Sequence, residues 1–237
     1  MNTDYFESTA FVFSPPPVVT LPVAGTDQRF AVRRIYCVGR NYADHIREMG
    51  GDEREPPFFF QKPTDAIVPS GAAITYPSCT SDFQHEVELV LAIGREGRDI
   101  ARADASQHVY AVGVGIDLTR RDVQVAARKS GRPWEIGKSF DQSAPCSELR
   151  RLADGLPDKG RVELEVNGEL KQSGDIAHMI WSCPEIVSQL SSQYRLMPGD
   201  LIYTGTPAGI GPLQPGDHVV ARIEDIGVVD VRIVSAG

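Results

Sequence analysis

The chain has 237 residues, which at ~150 residues per domain leaves room for one large domain and at most a small appendage. Hydrophobic residues at 41% and charged residues at 24% fit a chain that folds around a core, not one that stays disordered. Lys+Arg 24 against Asp+Glu 32 leaves a formal net charge of −8, which opposes neutralisation of a phosphate backbone and attraction to anionic lipid, so neither nucleic acid nor a membrane is an expected partner.

Met1-Asn2-Thr3-Asp4 lacks the basic start of a secretory leader, and no run approaches the ~20 apolar residues of a membrane span, so the expected location is cytoplasmic. Cys37, Cys79, Cys146 and Cys183 form no C-x-x-C unit and read as reduced packing residues. Residues 1–32, with Pro15-Pro16-Pro17, read as an extended N-terminal arm, and 33–237 as one folded domain. A strand rich in β-formers is expected over 33–38. After Gly39-Arg40-Asn41 comes a short amphipathic helix over 42–49, ended by Gly50-Gly51. A helix this short cannot persist alone, so 41–57 is expected to be a mobile lid.

Strands follow at 87–93 and 110–116, with a helix over 102–109 between them. Thr119 is the expected N-cap of a helix over 120–129, stopped by Gly131 and Pro133. Asn167-Gly168, flanked by alternating residues, signals a hairpin over 162–171. Pro184 at the first helical position after Ser182-Cys183 opens a helix whose Ile186, Val187, Leu190 and Tyr194 share a face. The last third returns to strands at 201–203, 217–223 and 228–234. Helices are too sparse for a βαβ repeat, which predicts a strand-rich α+β fold. Leu118 stands where a dinucleotide fingerprint after Gly113-Val114-Gly115 would need its third glycine.

The chemistry concentrates in a few segments. In a strand, residues i and i+2 share a face, so Glu86 and Glu88 project together, and Asp117 ends the next expected strand at the same mouth. An isolated E-x-E more often marks a solvated face, but here the face partners Val90 and Ala92 are apolar. Three carboxylates suit a hard cation, Mg²⁺ or Mn²⁺, better than zinc. Neutralising Glu86 should therefore relieve an acidic cluster. His45 and Glu48, three apart on the short helix, can act as an oriented base or form an ordinary surface pair. Arg121 and Gln124 lie one and two turns beyond Asp117 and can point where it points, with Lys138 following in sequence. Arg120 and Arg121 at a helix start oppose the dipole and call for a compensating partner such as an anionic ligand. The loop over 203–211 could present backbone N–H groups and the Thr206 hydroxyl to a carboxylate, or be a plain turn.

Seven ordered blocks, GRNYADHIREMG, FFFQKPTDAIV, HEVELVLAIG, GIDLTRRDVQ, PWEIGKSFDQSAPCS, VNGELKQ and PGDLIYTGTPAGIG, resemble the short single-domain branch of the fumarylacetoacetate hydrolase family. The resemblance implies a distorted β-roll, a homodimer, and a catalytic domain over 33–237. It implies metal ligands at Glu86, Glu88 and Asp117 and a general-base dyad at His45 and Glu48. Substrate-polarising residues would be Arg121, Gln124 and Lys138, with Arg40, Lys62 and Thr206 contacting substrate. The implied activity is metal-dependent hydrolysis of the carbon–carbon bond of a 2,4-diketo acid, with fumarylpyruvate split to fumarate and pyruvate as the expected case. Acylpyruvase, oxaloacetate decarboxylase and 2-oxo-hept-3-ene-dioate isomerase chemistry are alternatives on the same site. A noncatalytic carboxylate- or metal-binding module is a further one, disfavoured because binding does not need the His45/Glu48 base.

Overall fold

In the computed structural model, which describes residues 11–42 and 55–236, the strand Val87–Ile93 is buried at every position. Val87, Leu89, Leu91 and Ile93 enter one hydrophobic cluster, whereas Val90 and Ala92 enter a second on the opposite face. A strand with both faces covered reads as a continuous apolar run, which is what the sequence carries here. The larger sheet runs Phe58–Lys62, Arg34–Gly39, Asp200–Tyr203, Val87–Ile93, Val109–Ile116, Ala144–Cys146, Ile67–Pro69, with Arg150–Arg151 also paired to Val109–Ile116. It is mixed: Asp200–Tyr203 runs parallel to Arg34–Gly39, and Ala144–Cys146 parallel to Ile67–Pro69.

A second sheet orders Glu169–Asp175, Arg161–Val166, His218–Ile223, Gly227–Val234 and Ala73–Thr75. Its inward residues Val162, Leu164, Val219, Ala221 and Val231 complete the first cluster. The expected hairpin is present, with Asn167 (φ 54°) and Gly168 (φ 78°) supplying the two positive φ angles of a tight primed turn. The helix Cys183–Gln193 buries Ile186, Val187 and Leu190, and the N3 Glu185 carboxylate accepts the Ser182 N–H at 2.9 Å. Tyr194 follows the helix and packs on Tyr36 with ring centroids 5.0 Å apart.

Several local expectations change. The segment before Val109–Ile116 is a 3₁₀ helix, Arg102–Gln107. Thr119 does not cap the next helix; Thr119–Arg120 pairs with Phe83–His85 in a small third sheet, and the helix is Arg121–Lys129. Pairing of the Thr119 backbone in that ladder leaves its hydroxyl to donate to Asp117 O at 3.1 Å instead. Within the N-terminal segment, Thr20–Pro22 and Arg29–Ala31 form a hairpin, Leu21 is fully buried, and Leu149 N donates to Pro22 O at 2.9 Å. All four cysteines are free, but Cys79 is exposed, so only the other three serve packing. Among the described residues no helix is long and apolar enough to cross a membrane. The 42–49 helix and the 41–57 lid fall largely on residues 43–54, outside those described.

Gly115, paired with Glu88 across the strands, marks a point of close packing: a Cβ there would lie 2.4 Å from Tyr203 Cε1 and 2.7 Å from Val90 Cγ2. Gly115→Ala should therefore destabilise the protein by about 1–3 kcal/mol through overpacking. Differential scanning calorimetry should show a midpoint lowered by about 2–4 °C per kcal/mol at this chain length.

Candidate active site

Glu86 connects the strand Phe83–His85 to Val87–Ile93, and Asp117 follows Val109–Ile116. The antiparallel register that sets Val87 opposite Ile116, together with Asp117 N donating to Glu86 O at 2.8 Å, brings the third carboxylate beside the first two. One oxygen from each of Glu86, Glu88 and Asp117 lies within 4.8 Å of the others, and all three residues are buried. Glu88 occupies the same strand face as Val90 and Ala92, so the solvated-face alternative does not hold.

Three cations close around this cluster. Lys138 Nζ lies 2.7 Å from Glu86 Oε2 and 2.7 Å from Asp117 Oδ2. Lys62 Nζ lies 2.8 Å from Asp117 Oδ1 and donates to the carbonyls of Leu118 (3.2 Å) and Lys138. The Arg121 guanidinium pairs with Glu86 and donates to Gln84 Oε1 (2.9 Å) and Gln124 Oε1 (2.6 Å). The compensation that a basic helix start requires is therefore internal: Arg121 turns back to Glu86, and Arg120 stacks 4.0 Å over the Phe140 ring. Burial opposes the charge on Lys138, but Asp117 and Glu86 outweigh it and hold its pKa above the ordinary lysine value.

Glu88 differs from its neighbours. Its Oε2 accepts the Gly205 N–H at 2.8 Å, and among the described residues no cationic side chain pairs with it. Burial first, then the charges of Asp117 and Glu86, push its carboxyl well above the usual range. Lys62 approaches Asp117 Oδ1 as an ion pair off the hydrogen-bonding direction, so among the described residues this buried oxygen has no hydrogen-bond donor. An under-compensated carboxylate and an orphaned carboxylate oxygen, both hard donors, are what a hard divalent cation would satisfy. The site fits such an ion.

The acidic cluster lines a cleft of about 440 Å³ that also includes Arg40, Phe58, Phe60, Arg121, Gln124, Arg128, Trp134, Lys138 and Thr206. The structure thus brings together Glu86, Glu88, Asp117, Arg121, Gln124, Lys138, Arg40 and Thr206, with Lys62 directly behind Asp117. His45 and Glu48 lie outside the described residues. Sequence reasoning missed two buried amides that hold the rim. Asn41 donates to Thr204 O (2.8 Å) and Trp181 O (3.0 Å). Gln172 donates to Thr206 Oγ1 (2.8 Å) and Pro207 O (2.9 Å), while its Oε1 meets His85 Nδ1 at 2.9 Å. Asn41 stands two residues beyond the strand Arg34–Gly39, a signal that could have been read; Gln172 sits in a polar hairpin strand and carries none.

Lys138→Met should test the charge balance. Removing the ammonium leaves Glu86 and Asp117 facing each other, which in EDTA-treated protein should cost about 3–5 kcal/mol. A bound divalent cation would neutralise the same two carboxylates, so thermal melts should show Mn²⁺ restoring more of the midpoint in the variant than in the parent; equal restoration would contradict this charge balance.

A strand-rich fold with a buried, cation-compensated carboxylate cluster at the floor of a cleft defines an enzyme site for a small anionic molecule. The profile described as Fumarylacetoacetate (FAA) hydrolase C-terminal matches residues 34–234, and the chain belongs to the fumarylacetoacetate hydrolase family. Its fold is the family's distorted β-roll. The crystal structure of fumarylpyruvate hydrolase from Pseudomonas aeruginosa in complex with Mn²⁺ and pyruvate is 49% identical, with TM-score 0.93, covering 96% of this chain and 100% of that one. A fumarylpyruvate hydrolase from Ralstonia sp is 42% identical over 179 residues, 76% of this chain and 93% of the relative. The mitochondrial oxaloacetate tautomerase of Mus musculus is 41% identical over 203 residues, 84% of this chain and 90% of the relative.

Proposed function

We propose that the chain is a divalent-metal-dependent hydrolase that splits fumarylpyruvate into fumarate and pyruvate. The observation that carries this reading is the site itself, with Glu86, Glu88 and Asp117 buried together beneath a cleft rich in arginine and lysine. The similarity to a fumarylpyruvate hydrolase seen with Mn²⁺ and pyruvate supports it.

Glu86, Glu88 and Asp117 would hold Mg²⁺ or Mn²⁺. When bound, that ion supplies Lewis-acid stabilisation to the negative charge of the pyruvate end. His45, oriented by Glu48, takes a proton from the attacking water. Lys138 and Gln124 stand beside the cluster and donate to the oxyanion that forms at the C4 carbonyl. Arg121, held by Glu86, Gln84 and Gln124, presents a fixed guanidinium toward the pyruvate carboxylate. Thr206, locked by Gln172, and Arg40 at the rim add further contacts with substrate.

Residues 33–237 are proposed as the catalytic domain, with 1–32 as an arm upon it, and the working form as a cytoplasmic homodimer in aromatic-compound catabolism. Phe13 and Val18 in the arm are exposed and offer apolar surface for self-association. A side-by-side assay tests the substrate. With Mn²⁺, kcat/KM for fumarylpyruvate hydrolysis should exceed kcat/KM for oxaloacetate tautomerisation or decarboxylation and for acetylpyruvate cleavage. A preference for oxaloacetate would replace this reading with that of the tautomerase relatives.

A further inference from the structure

The substrate reading leaves the far end of the molecule unassigned. Arg121, Gln124 and Arg128 stand at i, i+3 and i+7 of the helix Arg121–Lys129, hence on one face, and all three line the cleft. The first two are buried against the carboxylate cluster, and Arg128 is exposed at the mouth. Among the described residues no carboxylate pairs with the Arg128 guanidinium. On a chain of net charge −8, the cleft lining holds four cationic side chains against three carboxylates.

The cleft lining also carries an aromatic group. Trp134 meets Phe58 and Phe60 edge to face, with centroids 5.9 and 5.2 Å apart. Gly39 leaves the room for this, since a Cβ there would lie 2.0 Å from the Phe58 ring. Arg40 lines the same cleft, in a left-handed conformation (φ 57°) uncommon for a non-glycine residue. The cleft thus combines a buried polar cluster, an aromatic wall and an exposed arginine.

Resting on the reading of the site as a diketo-acid hydrolase, we propose that Arg128 is the specificity-determining residue for a second, distal carboxylate on the substrate. A seven-carbon 2,4-diketo diacid carries carboxyl carbons six bonds apart, about 7 Å at the ~1.2 Å advance per bond of an extended chain. Seven helical residues advance about 10 Å, and the difference lies within the reach of an arginine side chain. The flat alkene lies along the aromatic wall. The guanidinium meets the distal carboxylate in the two-pronged geometry that lysine cannot supply. Substrates ending in a methyl group gain nothing from this contact.

The test is binding, which separates this proposal from the turnover reading. Isothermal titration of the Mn²⁺-loaded protein with 2-oxoheptanedioate and with 2-oxoheptanoate compares ligands of equal length that differ only in the distal carboxylate. The parent should favour the diacid by roughly tenfold or more, the worth of one charged hydrogen-bonded contact. In Arg128→Gln that ratio should collapse toward one, chiefly through the diacid. A ratio unchanged in Arg128→Gln, or a parent that binds both ligands alike, would overturn the assignment. If fumarylpyruvate were not hydrolysed but the diacid preference appeared and vanished with Arg128, the hydrolase reading would fail and the distal site would stand.

Discussion

Removing divalent cation with EDTA should lower hydrolysis by at least about 10³-fold, because Lewis-acid stabilisation of developing charge is worth several kcal/mol and each 1.4 kcal/mol is tenfold. Mg²⁺ or Mn²⁺ should restore it. The matching substitution is Glu88→Gln. Glu86→Gln, attractive from the sequence as relief of an acidic cluster, would strip a partner from both Lys138 and Arg121. Among the described residues no cationic side chain pairs with Glu88, and the Gly205 N–H that it accepts can still donate to a glutamine oxygen. Glu88→Gln should therefore lose cation affinity and turnover while its melting midpoint in EDTA holds or rises, since a buried charge has been removed. Measured together, calorimetric Mn²⁺ binding and thermal melts check both halves; a large fall in the EDTA midpoint would mean that Glu88 is structural.

His45→Ala should reduce kcat by roughly 10²–10⁴-fold, the usual contribution of a positioned general base. If His45 only deprotonates water, its removal leaves the carboxylates that chelate the ion in place, so substrate affinity should be retained. Glu48→Gln should give a smaller loss of the same kind, because the amide still accepts the imidazole N–H but no longer stabilises the imidazolium. Single-turnover kinetics on both variants separate binding from chemistry. Weakening of binding equal to the loss of turnover would make His45 a positioning residue.

Much of the site was legible because its geometry is local or nearly so. Glu86 and Glu88 share a face by strand alternation, and Arg121 and Gln124 share one by helical spacing, so short-range periodicity places each pair. That Val90 and Ala92 are apolar pointed to a buried face, and the second hydrophobic cluster is what buries it. The contacts between those pairs were not legible. Lys62 reaches Asp117 from a strand 55 residues earlier, and Gln172 braces Thr206 from a different sheet. Nothing in FFFQK or LKQSG marks the lysine or the glutamine as buried.

Elements failed in the same way. Ile67–Pro69, Ala73–Thr75 and Ala144–Cys146 are three residues each, too short for a period, and they are strands because a neighbouring ladder accepts them. Thr119 had the composition of a cap and the sheet took its backbone instead. The Asn167-Gly168 turn and the Pro184 helix start succeeded because their signals are steric and act within four residues.

Metal-dependent cleavage of fumarylpyruvate is tested most directly by following products on one sample. Metal-stripped protein is given synthetic fumarylpyruvate, then Mn²⁺, and fumarate and pyruvate are quantified by liquid chromatography. No products should form before the addition, and equimolar fumarate and pyruvate should form after it. Equal product formation before and after Mn²⁺, or disappearance of substrate without fumarate, would contradict metal-dependent cleavage.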